Sequence, residues 1–448
     1  MSIYRYTLSD YHAVKEADIT IDGITVLAGE NGCGKSTLSR WLYYLVNGAQ
    51  RFEELRIKKF YNDIESIMHR YVAVAREIRF YTPNISQSQS DEFFSKFNPH
   101  TIYTTDMSLQ QIQALFEKFI RSVGNLIKDF ADNTKIDNKR DRIIRYLNSS
   151  FCDDENADDN SILSADNYIE RNLEWFRQKM GKLYADLERR PFVQFINYIR
   201  KEYDVKDEIP SLLHLREDDV ELIEEDRVSS LFNLRRAIYV DTPMALTNDS
   251  AKNVFWNELR KFVTTAPNRD LEMSEKKLLR RITNILHGEA KMVKDDSLFG
   301  EDELRFVSND GRVNIEVEKV ATGFKTFIYL QRLLENGYLG SDSLLLIDEP
   351  EAHLHPQWIV EYARLLVFLN KELGQKIMLA THNPDMVAAI RSIAEKEQVL
   401  DKTNFYIAEP SEQPNTYCYK ALGTDISEIF TSFNIALDRI QAYGTDSL

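Results

Sequence analysis

The sequence predicts an α/β protein that is interrupted by a large all-helical insertion. Short apolar runs stand near both ends of the chain, such as Ile24–Ala28 and Leu344–Ile347, and helical periodicity follows each of them. This alternation of strand and helix patterns is typical of an α/β fold. Between about residues 53 and 232 it gives way to long, charged helical patterns, for example at 109–130 and 167–190. We therefore expect one α/β domain that the insertion splits in sequence.

Turn residues and pattern changes set the predicted boundaries. Asn309-Asp310-Gly311 predicts a hairpin turn, and Gly374 predicts the end of a helix that begins at Pro356. The acidic stretch at 153–160 is either a solvated loop or a cation site, but it lacks the glycine-turned pattern of a calcium loop. The predicted parts are 1–52 and 233–410 for the α/β domain, 53–232 for the insertion, and 411–448 for a C-terminal strand and helix.

Composition restricts the class of protein. The chain has 448 residues and a formal net charge of −15, so nucleic-acid binding would need a local basic patch. The three cysteines, Cys33, Cys152 and Cys418, are far apart and predict neither a disulfide framework nor a zinc site. The N-terminal residues lack an apolar signal core, and no apolar run is long enough for a membrane span. We expect a soluble cytoplasmic protein without membrane contact.

The stretch GENGCGKST, Gly29–Thr37, fits the pattern G-x-x-x-x-G-K-[ST]. Glycines let such a loop turn so that its backbone N–H groups point at a di- or triphosphate, and the following helix places its N-terminus there. Lys35 is expected on the β- and γ-phosphates, and the Ser36 hydroxyl on Mg²⁺. The predicted phosphate-binding residues are Gly29, Asn31, Gly32, Cys33, Gly34, Lys35, Ser36 and Thr37.

A second candidate group follows the apolar run SLLLIDEP. Asp348 can hold Mg²⁺ together with Ser36, and Glu349 can act as the general base for the water that attacks a γ-phosphate. His382, which follows the next predicted strand, can hydrogen-bond the γ-phosphate or simply cap a turn. Together with Lys35, these residues predict a catalytic site for nucleotide hydrolysis.

These motifs resemble those of the ABC-type ATPase heads of the SMC, RecF and OLD group. Walker A at 29–36, Walker B at 344–349 and a histidine switch at His382 carry the resemblance, which covers about 1–50 and 235–410. DEPEAHLHP, followed by THNP, is most similar to soluble OLD-like ATPases, many of which are associated with bacterial phage defence. The resemblance implies an ABC-type P-loop NTPase head with its insertion between Walker A and Walker B, and ATP and Mg²⁺ as cofactors.

Such heads present a signature loop to the γ-phosphate of a second protomer, which implies a homo-oligomer. The matching stretch is VATGF, in which Thr322 and Gly323 fit the pattern while Ala321 and Phe324 depart from it. A Q-loop glutamine is not identified. Glu351, with the nearby histidines, could form a metal cluster, but the family places its dimer-contacting D-loop here.

The resemblance leaves the biological role open. Lys135–Arg145 is the densest basic run of the insertion, and it is either a contact to nucleic-acid phosphates or a solvated face balanced by aspartates. Only about 40 residues follow Glu409, too few for the Toprim nuclease domain of some OLD relatives. We therefore expect an ATPase that acts with a separately encoded effector, which contacts the helical region within 53–232, alone or together with the C-terminal helix near Ile426–Ile440. The alternatives are a RecF- or SMC-like DNA-binding repair ATPase and a nearly inactive ATP-binding scaffold.

Overall fold

The computed structural model describes residues 2–81, 107–133, 165–224, 226–241, 254–265, 270–293 and 302–431. The chain divides into two compact units, one formed by Met1–Arg51 with Arg190–Leu448 and the other by Phe52–Arg189. The acidic stretch at 153–160 and the basic run at 135–145 lie outside the described residues, as does most of the predicted C-terminal helix, of which 427–431 are helical.

A mixed sheet of ten strands forms the centre of the first unit. The strands are β1 (Tyr4–Tyr11), β2 (Val14–Ile21), β3 (Ile24–Ala28), β4 (Leu212–Glu217), β5 (Val220–Glu221), β6 (Arg236–Val240), β10 (Ser343–Asp348), β11 (Lys376–Thr381), β12 (Thr403–Pro410) and β13 (Tyr417–Gly423). Their order in the sheet is β5-β4-β1-β2-β13-β12-β3-β11-β10-β6, and the stretch from β12 to β6 is parallel throughout. The remaining strands form antiparallel pairs, apart from the parallel pair of β13 and β2.

The parallel strands are almost entirely apolar because helices cover them. In β3, β10 and β11 every residue is buried, the pattern expected for the inner strands of a parallel sheet. Apolar side chains of five helices pack against one face in a single core cluster. Helix α1 (Lys35–Tyr81) begins in the first unit and continues into the second. The other helices of the first unit are α4 (Phe192–Glu202), α5 (Val254–Thr264), α6 (Met273–Leu286), α7 (Thr322–Glu335), α8 (Pro356–Leu373) and α9 (Pro384–Lys396).

A separate three-stranded sheet lies between α6 and α7 in the sequence. It consists of β7 (Gly288–Val293), β8 (Glu303–Ser308) and β9 (Asn314–Glu316), all antiparallel. The predicted hairpin turn is confirmed, since Gly311 has φ +70° and donates its N–H to the Ser308 carbonyl at 2.9 Å. Gln331 of α7 accepts a hydrogen bond from the Ala290 N–H at 2.8 Å, which ties this sheet to the helix.

The second unit is helical in its described part and has its own core. It contains the later part of α1 together with α2 (Leu109–Asn133) and α3 (Ala165–Arg189). Aromatic and aliphatic side chains of the three helices form one cluster, in which the rings of Phe116 and Phe176 stack with centroids 4.5 Å apart. Arg56 and Asp186 form an ion pair between two of these helices. None of the described helices in either unit is both long enough and apolar enough to span a bilayer.

The boundary between the helical unit and the α/β unit differs from the predicted one. The sequence predicts an insertion to residue 232, whereas the helical unit ends at Arg189. Strand β4 pairs with β1 in antiparallel register, from Tyr4 opposite Glu217 to Ser9 opposite Leu212. This pairing joins residues about two hundred positions apart, so the local pattern of the sequence contains no sign of it.

Candidate active site

The alignment of parallel strands brings the predicted motifs together. Ala28, the last residue of β3, lies opposite Thr381 of β11, and Asp348 of β10 lies opposite Ala380. The carboxyl ends of these strands therefore meet at one edge of the sheet. The P-loop and His382 follow β3 and β11, and the Walker B acids stand at the end of β10, so all three lie at the same edge, where open α/β sheets bind ligands.

Two glycines of the P-loop adopt backbone angles that other residues rarely adopt. Gly32 has φ +86° and Gly34 has φ +95°, both in the left-handed region. A Cβ atom at Gly34 would also stand 2.5 Å from Val14 Cγ2. Gly29 is equally restricted, because a Cβ there would approach the Ala408 Cβ to 2.8 Å. The loop can therefore turn tightly into α1 only with glycine at these positions.

The Lys35 side chain is buried and folds back over the loop. Its ammonium donates hydrogen bonds to the carbonyl oxygens of Gly29 and Glu30, both at 2.8 Å. These partners are neutral dipoles, and within the part of the chain that the structure describes no carboxylate pairs with Lys35, so its positive charge remains available to a phosphate. Ser36 is exposed and Thr37 is half-buried at the start of α1.

Cys33, a predicted phosphate-binding residue, could contact a phosphate only through its backbone N–H. Its side chain is fully buried, and Sγ lies 3.7 Å from the Tyr419 hydroxyl. Tyr419 also donates a hydrogen bond to the Cys33 carbonyl at 3.2 Å, so the side chain faces β13 and not solvent. Asn31 and Gly32, by contrast, are exposed. Burial raises the pKa of the Tyr419 hydroxyl well above its usual value, which keeps it neutral as a donor.

Asp348 is buried and bonded to hydroxyl groups. Ser39 Oγ donates to Oδ1 at 2.8 Å, and the Tyr239 hydroxyl donates to Oδ2 at 2.6 Å. Burial raises the pKa of the Asp348 carboxyl, while hydrogen bonds from Tyr239, Ser36 and Ser39 oppose that shift. The predicted Mg²⁺ pair, Ser36 and Asp348, is therefore close together. Sequence analysis missed Ser39, although it lies one helical turn after Lys35, and it missed Tyr239 of β6.

The oxygen donors at this position suit a hard divalent cation. Mg²⁺ prefers carboxylate and hydroxyl oxygens and keeps several waters, so one carboxylate and one serine are a sufficient protein contribution. The hydroxyl groups that donate to Asp348 are uncharged, so the carboxylate keeps its negative charge and can attract a cation. Ser36 and Asp348 would hold the ion.

Glu349 and His382 lie side by side next to this group. The Glu349 carboxylate is 42% exposed, and its Oε1 lies 3.4 Å from His382 Nδ1. Glu349 has φ +48°, and its N–H donates to the Ala380 carbonyl at 2.8 Å. A left-handed angle at a non-glycine residue costs free energy and is found most often at functional sites. An exposed carboxylate held in this way can accept a proton from water.

The predicted signature residues lie at the start of α7. Thr322 is the first residue of this helix, and a Cβ at Gly323 would stand 2.8 Å from the His353 carbonyl oxygen. The close approach shows that Gly323 packs against the loop that follows Walker B. In the described part of the chain, no hydrogen bond or ion pair links Thr322 or Gly323 to the P-loop of the same chain. Their role toward a nucleotide stays a prediction.

The metal-cluster interpretation of Glu351, His353 and His355 gains no support. No group of three or more histidine, cysteine or acidic side chains within the described ranges is arranged to hold a metal ion. Glu351 is buried, whereas both histidines are exposed. His355 caps α8, where its Nδ1 accepts the Gln357 N–H at 3.4 Å.

Comparison with known proteins identifies the family. Residues 1–387 match the family model described as AAA ATPase domain. The chain belongs to this family. The resemblance to ABC-type ATPase heads is thereby confirmed for family and fold, whereas the OLD-like type stays a prediction.

Two curated relatives match a short part of this chain. Methionine import ATP-binding protein MetN of Corynebacterium diphtheriae is 36% identical over 22% of this chain. The protein of the same name from Lactobacillus delbrueckii subsp. bulgaricus is 32% identical over 22% of this chain. The matched part spans only 27% and 26% of their respective lengths.

Solved structures show a distant likeness. The SMC head domain of Pyrococcus furiosus, bound to the C-terminal domain of ScpA, aligns at a TM-score of 0.35 and 12% identity, covering 98% of this chain and 100% of that chain. CbiO1 of Clostridium perfringens, part of the ABC transporter complex CbiONQ, aligns at 0.27 and 15% identity, covering 56% of this chain and 82% of that chain. Likeness at this level says nothing about activity.

Asp348→Asn tests the assignment of the Mg²⁺ pair. The change keeps an oxygen acceptor for Ser39 or Tyr239 but removes the charge that attracts the cation. We expect the Mg²⁺-dependent gain in nucleotide affinity to fall about tenfold or more. Titrating a fluorescent nucleotide with Mg²⁺ and with EDTA measures that gain. Asp401→Asn, at an exposed position of the short 3₁₀ helix Leu400–Lys402, should leave the gain unchanged, and equal gains in both variants would contradict the assignment.

Proposed function

We propose that this protein binds ATP with Mg²⁺ and hydrolyses it in a site that a second copy of the chain completes. One observation carries the proposal: the P-loop lysine, the Walker B acids and His382 all stand at or beyond the ends of neighbouring parallel strands, at one edge of the sheet. The family match to an AAA ATPase domain over 1–387 supports the same chemistry.

In the proposed reaction each residue of the site has a distinct task. Lys35 exchanges its carbonyl partners for β- and γ-phosphate oxygens, which costs little because the loop already holds the ammonium in place. A bound Mg²⁺ would neutralise charge on the phosphates. Glu349 accepts a proton from water as the water oxygen bonds to the γ-phosphorus and the bond to the β-phosphate oxygen breaks. His382 donates a hydrogen bond to the departing phosphoryl group.

Lys35→Ala and Glu349→Gln should fail at different steps. Without its ammonium the loop loses the charge that holds the phosphates, so Lys35→Ala should abolish ATP binding. Glu349→Gln removes the base and should keep ATP bound while turnover falls about 10²- to 10⁴-fold. Equilibrium binding and phosphate release separate the two effects. Lys402→Ala and Glu412→Gln change exposed residues of the same types and should match the parent. Normal turnover in Glu349→Gln would refute the Walker B assignment.

The second copy is proposed because Gly323 packs against the loop after Walker B of its own chain, while no hydrogen bond among the described residues links Thr322 or Gly323 to the P-loop of that chain. In a two-fold dimer this helix N-terminus could meet the γ-phosphate of the partner through backbone N–H groups. The loop at Ala352–His355 would lie in the same contact, and its histidines are exposed.

ATP should therefore stabilise a dimer of the Glu349→Gln variant. This variant retains the nucleotide, so the closed state accumulates. Sedimentation velocity with ATP and with ADP measures the shift from monomer to dimer. Lys35→Ala, which cannot bind ATP, serves as the control and should stay in its nucleotide-free state. A monomer under every condition would contradict the shared site.

We further propose that the ATPase acts in the cytoplasm with a separately encoded effector, as in phage-defence systems related to OLD-like proteins. What supports this role is the resemblance of DEPEAHLHP and THNP to that group. The helical unit, with its own core, is the part of the chain most suited to carry a partner-specific surface. Copurification from the native host with mass spectrometry would identify the partner.

DNA binding is the competing outcome and can be tested directly. On our proposal the protein should not bind duplex DNA at physiological salt, because the net charge of −15 repels phosphates. Electrophoretic mobility shift over a salt series measures this. Changing Lys139, Arg140 and Arg142 to Glu should then have no effect. Binding by the parent that this triple change abolishes would favour a DNA-loading ATPase.

A further inference from the structure

Glu351 is a buried carboxylate that the proposed reaction does not use. Its side chain is only 4% exposed, and it stands in the loop between Walker B and α8. Burying a carboxylate costs several kcal/mol unless hydrogen bonds compensate for the lost water. The contacts of Glu351 must therefore offset the free-energy cost of burying its charge.

Among the described residues, the Glu351 side chain contacts two that are consecutive in sequence, Thr381 and His382. Oε1 accepts a hydrogen bond from the Thr381 hydroxyl at 2.6 Å and another from the His382 backbone N–H at 3.1 Å. The same oxygen lies 3.4 Å from His382 Nδ1. One carboxylate oxygen therefore contacts both the backbone and the ring of the histidine predicted to meet the γ-phosphate.

The His382 ring has carboxylates on one side. Glu349 Oε1 and Glu351 Oε1 both lie 3.4 Å from Nδ1. Nδ1 is a buried atom without an aligned hydrogen bond among the described residues, and these two carboxylate oxygens are the acceptors near it. Two acceptors at Nδ1 favour a proton on that nitrogen and leave Nε2 for a ligand.

The backbone turn explains why neighbouring carboxylates differ in exposure. Glu349 and His353 both have left-handed angles, φ +48° and +68°. The Ala352 N–H donates to the Glu349 carbonyl at 3.0 Å, and the Leu354 N–H donates to the Glu351 carbonyl at 2.9 Å. The turn closed by these bonds keeps Glu351 buried while Glu349 stays partly exposed.

We infer that Glu351 is a positioning residue, which holds His382 with Nδ1 toward the two carboxylates and Nε2 toward the γ-phosphate. This inference rests on the proposed hydrolysis of ATP for the task of His382. Glu351 touches neither nucleotide nor water in the reaction and acts through the histidine. It also couples the loop after Walker B to the end of β11, so the two segments keep one relative geometry.

Glu351→Gln tests this inference in the full-length protein. An amide oxygen can still accept from Thr381 and from the His382 N–H, but the charge facing Nδ1 is lost. We expect kcat to fall about tenfold or more, the usual range for a supporting carboxylate, with KM for ATP little changed. Glu361→Gln makes the same change at an exposed ion pair on α8 and should leave kcat unchanged.

A double-mutant cycle with His382→Gln distinguishes positioning from general stabilisation. If Glu351 acts through the histidine, Glu351→Gln should have little further effect on kcat once His382 is replaced. An equal loss in both backgrounds would overturn the inference. Glu351→Asp keeps the charge with a shorter reach, and an intermediate kcat is expected. It also provides a second variant if Glu351→Gln does not fold.

Nitrogen NMR of labelled histidine supplies a readout that needs no activity. The His382 ring signals can be assigned by their loss in His382→Gln. We expect Glu351→Gln to shift the Nδ1 resonance of His382, and Glu361→Gln to leave it in place. An unchanged resonance in Glu351→Gln would also overturn the inference. If the parent protein does not turn over ATP, the proposed function fails, while this measurement still decides whether Glu351 positions the ring.

Discussion

The whole site depends on the register of three parallel strands. Ala28, Asp348 and Thr381 end strands that are hydrogen-bonded neighbours, although more than three hundred residues separate the first from the others. A register is strongly specified when side chains on both faces must stay buried, and every residue of these strands is buried. The apolar runs therefore do more than form a core. They fix where the loops that follow them start, and so which polar groups meet.

The charged groups at this edge are stabilised mainly by neutral dipoles. Lys35 is held by two carbonyls, Asp348 by hydroxyls, and Glu351 by a hydroxyl and a backbone N–H. Counter-ions from the protein would neutralise these charges more completely, but they would also compete with a ligand for the same charged groups. Dipoles reduce the cost of burial while leaving net charge at the site. The arrangement suits a site that must receive both an anionic polyphosphate and a cation.

Sequence patterns predicted the local parts of this structure well. The helix Pro356–Leu373 and its end at Gly374, with φ +66°, follow from proline and glycine preferences that act within a few residues. The P-loop and the Walker B strand were predicted for the same reason. What could not be predicted depends on distant pairing. The register of β4 on β1 and the bonds of Asp348 to Tyr239 and Ser39 exist only after the sheet has formed.

The turn after Walker B shows how such long-range pairing changes the meaning of a local motif. The spacing of Glu351 and the two histidines resembles a metal site, because alternate residues of an extended chain share one side. The backbone is not extended there, since Glu349 and His353 adopt left-handed angles. Glu351 is buried at Thr381, while the histidines stay at the surface. The hydrogen bond from the Glu349 N–H to the Ala380 carbonyl of β11 keeps this strained turn in place. The sheet that aligns the site therefore also determines what each residue of the motif can do.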